Sequence, residues 1–425
     1  MHIGNRLKKI RKLNRVSQQN LCKGIVSTSH YSNIEGGRYV PSTDILESIA
    51  KRLQVPTNYL LNIHEHSPTT DKLLTEYEEL IENDLAKAEE FLQKNKKEFE
   101  YIPSIYQETE FLLLRCMHHI KQLNLNEAEK LYDEIQFYIQ EEELDSYNKN
   151  LKFKYTYVTG LLKYDQKNYT DSYHYFNKAS KYLSDESKRM KVTFNLALIS
   201  FYLFNLTKAL EYVISARTAF LENHRWKETV ECYILQGMIL FEMRNFEEAK
   251  KVLKKGLNLA KEKSLYIQTT KIHHNLGNVY RDNEEYDKAL YYYKESLEKK
   301  KIYDKDNVLI TYYTLAKLYL KQKDLPSLKK LLGEVRDYCE SEFDFHLLKM
   351  LEAKMEYLLM NYEKYEDYMK KSIEYFYKQR HFIILENECK HISDYYYDQK
   401  KYKSAYYYLD MEMDVIQKIY KEPRV

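Results

Sequence analysis

A spacing rule repeated down most of the chain constrains its fold more than any single motif. A small residue is followed by an aromatic or apolar one at +3 and +9, and by another small one at +12. The clearest copy is Gly277, Tyr280, Tyr286 and Ala289. Others start at Gly237 (Leu240, Phe246, Ala249), Ala197 (Ser200, Leu206, Ala209) and Gly160 (Lys163, Tyr169, Ser172). Ala316 (Tyr319, Leu325, Leu328) and Ser393 (Tyr396, Tyr402, Ala405) continue it, and Cys116 (His119, Leu125, Ala128) reads as an earlier copy. Registers near Glu76 and Glu356 are degenerate. Successive starts from Gly160 to Ala316 lie 37, 40, 40 and 39 residues apart; the next gap, 77, leaves room for a degenerate copy. Self-similarity of this length marks an array of stacked helix pairs. Small residues let the two helices of a pair approach, and aromatics fill the space between neighbouring pairs.

With 9 Gly and 6 Pro in 425 residues, hairpin turns are scarce, which favours an all-helical chain. The 44 Tyr suit packed amphipathic helices, where a ring is buried and its hydroxyl stays wet. The five Cys are odd in number, dispersed and never in a CxxC pair, so they read as buried thiols of a reducing compartment. The N-terminal MHIGNRLKKIRK lacks an apolar core, so no signal peptide is expected. The longest apolar stretch, at 194–206, is too short to span a membrane. A cytoplasmic protein is expected.

Charge divides the chain unevenly. Residues 1–63 hold 10 Lys+Arg against 3 Asp+Glu, and residues 64–425 hold 57 against 61. A basic head on a near-neutral body suits a polyanionic partner for the head, although a solvated basic face explains the bias equally well. Within the head, Ile3, Leu7, Ile10 and Leu13 mark a first helix with its charges outside. Ser17 is placed to cap a second helix with Leu21 and Cys22 inward, and Gly24 begins a turn. Thr28 or Ser27 then caps a third helix, with Tyr31 and Ile34 toward the core and Ser29, His30 and Asn33 outside. Gly36-Gly37 allow the positive φ that ends it. Pro41 and Ser42 open a fourth helix carrying Leu46, Ile49, Ala50 and Leu53 inward, and Pro56 starts a fifth. Small polar residues on the outer face of a second turn-linked helix suit the DNA major groove.

On Ser17-Gln18, Leu21, Ser32-x-Ile34-Glu35-x-Gly37 and Pro41, residues 3–62 resemble the XRE-type helix-turn-helix family. The resemblance implies that Gln18 contacts phosphate, that Thr28, Ser29, His30 and Asn33 face bases, and that Arg38 contacts the DNA backbone. It also implies that Glu35 pairs with Arg11 inside the domain. Cys22 stands where the family usually has Ala.

The repeats resemble the tetratricopeptide (TPR) pattern, with a period near 40 in place of the usual ~34, which implies longer helices or loops. The expected fold is all-α: a five-helix XRE-type domain over 1–63, a linker over 64–72, and a right-handed TPR superhelix of about nine helix pairs over 73–425. The concave face of such an array is a peptide-binding surface by default. Asn195 and Asn275 occupy the same position, two before the small residue, where an amide can grip an extended peptide backbone. Asn278, Arg281 and Lys317 should point the same way, the cations being able to hold a carboxylate. Hydrogen bonding between repeats is an equal alternative for Asn275 and Asn278.

The whole layout resembles the RRNPP-type quorum-sensing regulators, and within them the NprR and PlcR members most. The resemblance implies a transcription regulator that binds double-stranded operator DNA and is switched by a short signalling peptide in the TPR groove. It further implies a homodimer or higher homo-oligomer. Asn195 and Asn275 match the family's peptide-contacting position, while Leu235 and Thr314 depart from it. An alternative, also borne by the resemblance, is an interaction switch that binds a response-regulator or phosphorelay protein. No enzyme, cofactor or metal is expected: HExxH, CxxC, P-loop and GxGxxG motifs are absent. His64-Glu65-His66 lies in a polar segment that reads as a solvated hinge, and the pairs His118-His119 and His273-His274 point about 100° apart on a helix.

Overall fold

The computed structural model describes residues 1–183 and 185–421, and among them every regular element is a helix. The chain divides into two compact units, Met1–Leu203 and Phe204–Val425.

The first unit begins with five short helices: α1 (Ile3–Leu13), α2 (Gln18–Cys22), α3 (Thr28–Glu35), α4 (Thr43–Leu53) and α5 (Thr57–Leu61). Leu7, Leu21, Tyr31, Ile34, Ile49 and Ala50 form their solvent-free core. Helices α1 and α3 approach closely because residue 4 is glycine. A Cβ there would stand 2.2 Å from the Ile34 carbonyl oxygen. Ser17 caps α2 and Ser27, not Thr28, caps α3, each hydroxyl accepting from the amide three residues on. Of the glycine pair after α3, Gly37 alone takes the positive φ, at 70°; Gly36 stays at −79°. Helix α1 departs from expectation. It does not keep its charges outside: Arg6, Lys9 and Arg11 are buried, whereas Leu13 is 53% exposed. Carboxylates placed elsewhere in the unit draw these cations inward.

Past an exposed turn at His64–His66 follow α6 (Pro68–Asn83), α7 (Leu85–Lys94) and the short α8 (Lys96–Glu100). Then come α9 (Ile105–Lys121), α10 (Leu125–Ile135), α11 (Lys149–Asp165), α12 (Tyr169–Ser180) and α13 (Glu186–Tyr202). The small residues of the repeat meet as expected. The Ser172 hydroxyl donates to the Gly160 carbonyl at 2.7 Å, and the Cys116 thiol to that of Ala128 at 3.3 Å.

The second unit contains α14 (Leu206–Glu222), α15 (Trp226–Glu242), α16 (Phe246–Glu262), α17 (Tyr266–Asp282), α18 (Tyr286–Tyr303) and α19 (Val308–Gln322). It continues through α20 (Leu325–Val335), α21 (Glu342–Leu358), α22 (Tyr362–Lys378), α23 (Phe382–Asp398) and α24 (Tyr402–Lys421). The odd-numbered members from α15 on are the A helices of their pairs, and the even-numbered ones from α16 on are the B helices.

The long period lies in the helices. From α14 to α17 each is 17 residues long, with three-residue turns between. The middle turn residue is left-handed every time: His224 (φ 55°), Arg244 (φ 59°), Ser264 (φ 55°) and Glu284 (φ 62°). Non-glycine residues therefore make the turns, which is how so glycine-poor a chain reverses so often. The degenerate copy starts at Ala353, fully buried on α21, rather than near Glu356. Tyr365 at its +12 position hid the register. None of the described helices is long and apolar enough to cross a membrane.

Candidate functional site

Helix α3 presents Thr28, Ser29 and Ser32 to solvent, with Asn33 and His30 half-buried. The side chains of Ser29 and Asn33 make no hydrogen bond to other described residues. His30 lies edge-on against Tyr39, ring centroids 4.3 Å apart, and its Nε2 is buried without a partner. Tyr39 is 45% exposed beside α3. It sits beyond the helix, so periodicity gave no reason to select it. The Cys22 thiol reaches the Thr28 hydroxyl at 3.6 Å, an interaction that the usual Ala would lack. Arg38 is exposed, and its amide closes the end of α3 on the Asn33 carbonyl at 2.9 Å.

Gln18 is differently placed from a free phosphate ligand. Its side-chain amide donates to the Glu35 carboxylate at 2.7 Å, while Arg11 holds the same carboxylate through Nε at 2.5 Å and Nη2 at 2.9 Å. The expected Arg11–Glu35 pair is thus present and buried. Burial alone would raise the Glu35 carboxyl; bonds from Arg11 and Gln18 hold it below its ordinary value.

A second carboxylate fastens the head to the repeats. Glu108, on α9, is buried and accepts from four side chains. Arg6 reaches it through Nη2 at 2.6 Å, Lys9 at 2.5 Å and the Tyr138 hydroxyl at 2.7 Å; the Tyr59 hydroxyl also donates. Arg6 satisfies its remaining donors on the carbonyls of Pro103 (2.6 Å), Ile102 (3.1 Å) and Tyr59. Burial would raise the Glu108 carboxyl, but Lys9 and then Arg6 hold it below its ordinary value. The segment before α6 is clamped too: the Gln107 side chain accepts from the Ser67 amide at 3.1 Å and donates to its carbonyl at 2.8 Å. Sequence reasoning missed Glu108, because nothing local distinguishes it from other helical Glu residues.

The peptide-face candidates fall in both units. In the first, the Asn195 amide donates to the Tyr157 hydroxyl at 3.2 Å. In the second, Asn275 is half-buried and its side chain has no hydrogen-bond partner among the described residues. Asn278 accepts from Tyr293 of its own helix pair at 2.8 Å and from Arg281 at 3.4 Å, so its carbonyl oxygen serves packing. Arg281 is bound to Asp282 at 2.7 Å. Lys317 has no ion partner among the described residues; its ammonium lies 4.3 Å from the centre of the Tyr313 ring. Packing around it, then the Lys354 and Arg281 cations, lower its pKa against the pull of Glu388. Nearby, burial followed by Lys300 and Arg281 drives His274 down to about 3, and its Nδ1 lies 3.2 Å from the Thr311 hydroxyl.

Fold and sites together define a class: a helix-turn-helix protein whose body is a TPR array. A helix-turn-helix domain family matches residues 4–63, and a tetratricopeptide repeat family matches residues 268–327. Transcriptional activator NprA of Geobacillus stearothermophilus is 24% identical over 404 residues, spanning 91% of this chain and 96% of NprA. The apo quorum sensor NprR from B. thuringiensis aligns with a TM-score of 0.62 at 20% identity, covering 82% of this chain and 99% of that one. NprR in complex with its cognate peptide NprX aligns at 0.56 and 18%, covering 83% and 99%. At such identities the structural likeness speaks for the fold. In its head, its repeats and their order, the chain resembles the RRNPP-type regulators.

Proposed function

We propose that this protein is a cytoplasmic transcriptional regulator rather than an enzyme. It binds operator DNA as a homo-oligomer through α3, and it is switched by a short signalling peptide held on the A helices of its repeats. The observation that carries this reading is the construction of α3. One side is locked into the core by Tyr31, Ile34 and the Arg11–Glu35 pair, while Ser29, Ser32 and Asn33 are left for base edges. Two heads held by one oligomer read a pseudo-palindromic site with spacing set by the body. Support for the regulator comes from NprA, a transcriptional activator, and for the switch from NprR in complex with its cognate peptide NprX. The Glu108 cluster supplies a mechanical link, since a movement of α9 carries α1 with it. Asn275, with no hydrogen-bond partner among the described residues, and Lys317, whose ammonium rests on the Tyr313 ring, are the groups offered to a peptide. Arg38, exposed past the end of α3, acts at the phosphate backbone; Gln18 reaches phosphate only by giving up its bond to Glu35.

The test is operator selection from genomic DNA with the full chain, followed by titration of the selected site with wild type and Asn33→Ala. A loss of at least about fivefold in specific affinity, with non-specific binding retained, is expected. Tight binding to a response-regulator or phosphorelay protein, with no sequence-specific DNA binding, would replace this reading by an interaction switch.

A further inference from the structure

The last repeats of the second unit line an open-sided cavity of about 350 Å³ that none of the sequence motifs marks. Its walls come from α19, α21, α22 and α23, and three of them are tyrosine rings: Tyr357, Tyr365 and Tyr395. The Tyr365 and Tyr395 rings meet edge-on with centroids 4.8 Å apart, and Tyr357 lies 5.1 Å from Tyr365. Tyr395 is held in place by its hydroxyl, which donates to Glu366 at 2.9 Å. Two carboxylates one helical turn apart on α23, Asp394 and Asp398, line the same space. Neither has an ion pair or hydrogen bond among the described residues, and both are exposed. The one Lys that lines the cavity, Lys354, is engaged by Glu388 at 2.6 Å. Glu388 is nine-tenths buried, and its other oxygen has no hydrogen-bond partner among the described residues; His391, also on the cavity wall, approaches it to 3.7 Å. Carboxylates therefore outnumber the ammonium that faces them.

Tyrosine rings, Tyr357 42% exposed and Tyr365 and Tyr395 buried beside it, together with two exposed carboxylates are complementary to an organic cation. The ring quadrupoles attract it, and a carboxylate accepts its N–H groups, bidentately for a guanidinium. We propose that this cavity binds a basic side chain, arginine or lysine, of the short peptide that regulates the protein. The proposal rests on the peptide-switch reading given above and adds the identity of one required residue.

The test uses acetylated, amidated pentapeptides Gly-Gly-X-Gly-Gly with X as Arg, Lys, Gln or citrulline, titrated into the full chain. Binding is followed by the NMR signals of the peptide. The Arg and Lys peptides should bind, with citrulline and Gln at least tenfold weaker. The Asp394→Asn/Asp398→Asn double variant, altered only at exposed positions, should lose at least tenfold for Arg while keeping its melting temperature. Equal binding of Arg and citrulline, or no effect of the double variant, overturns the proposal. So does binding of spermidine with none of the cationic peptides, which assigns the cavity to a free polyamine. None of these readings involves DNA, so failure of the cavity and failure of the regulator reading are distinguishable: the latter shows as absence of a specific operator.

Discussion

Polar groups on the helix faces are used in two ways, and the second unit holds both. In the first unit they are matched inside the protein. Lys154 holds Glu110 at 2.7 Å and also Glu78, Glu82 is shared by Lys121 (2.9 Å) and Lys191 (3.2 Å), and Asn195 is bound to Tyr157. In the second unit Asn278, Arg281 and Lys354 are matched in the same way, whereas Asn275, Asp394 and Asp398 have no hydrogen-bond or ion partner among the described residues. A matched group contributes to stability and offers little to a ligand. An unmatched one on a wetted face contributes little to stability and can bond a ligand without first breaking a contact. Alteration of the first kind should therefore register in melting, and of the second kind in binding.

The largest effect is expected at Glu108. Its replacement by Ala strands Arg6 and Lys9 in a buried site, which costs about 3–5 kcal/mol; denaturant unfolding of the full chain reads it. A loss below 1 kcal/mol would mean that water reaches the cluster. Next comes Asn33→Ala on α3, which should weaken specific operator binding by about 1–3 kcal/mol with no change in melting.

Acidity should also act on a histidine of the second unit. His274 is neutral when folded, and its folded pKa of about 3 lies far below the ordinary 6.5. The unfolded chain thus binds the proton more readily, and the stabilisation present above pH 6.5 is lost as pH falls toward 3. The slope contributed by this residue approaches about 1.4 kcal/mol per pH unit below 6.5. Unfolding curves at pH 7, 6 and 5 on wild type and His274→Asn measure it, and parallel curves would refute the burial argument. The smallest effect belongs to Asn275→Ala: unchanged melting, and a loss of about 0.5–1.5 kcal/mol in affinity for the regulatory peptide. A drop in melting temperature instead would put Asn275 with the matched groups of the first unit.

Local pattern carried the architecture. Caps at Ser17 and Ser27, the apolar spacing of the head and the small residues of the repeat are all set by neighbours three to twelve residues away, so they could be read from the chain. Groups fixed by distant partners could not. Arg6 and Lys9 read as surface cations because the carboxylate that buries them is about a hundred residues on. The Asn278 and Arg281 side chains shared the register of Asn275, yet Tyr293 and Asp282 engage them. Asp394 and Asp398 looked like any exposed helical acids until α21 and α22 supplied the rings opposite.

The Glu108 cluster also bears on how such proteins can be recombined. A head cut free after residue 63 keeps two cations shaped for burial and leaves their counter-charge behind. Grafted onto a foreign repeat array, it would need α9 and α10 to travel with it, or Arg6 and Lys9 to be replaced. Reading DNA and carrying repeats look like separable trades along the sequence, but here the chain has inherited them as one piece.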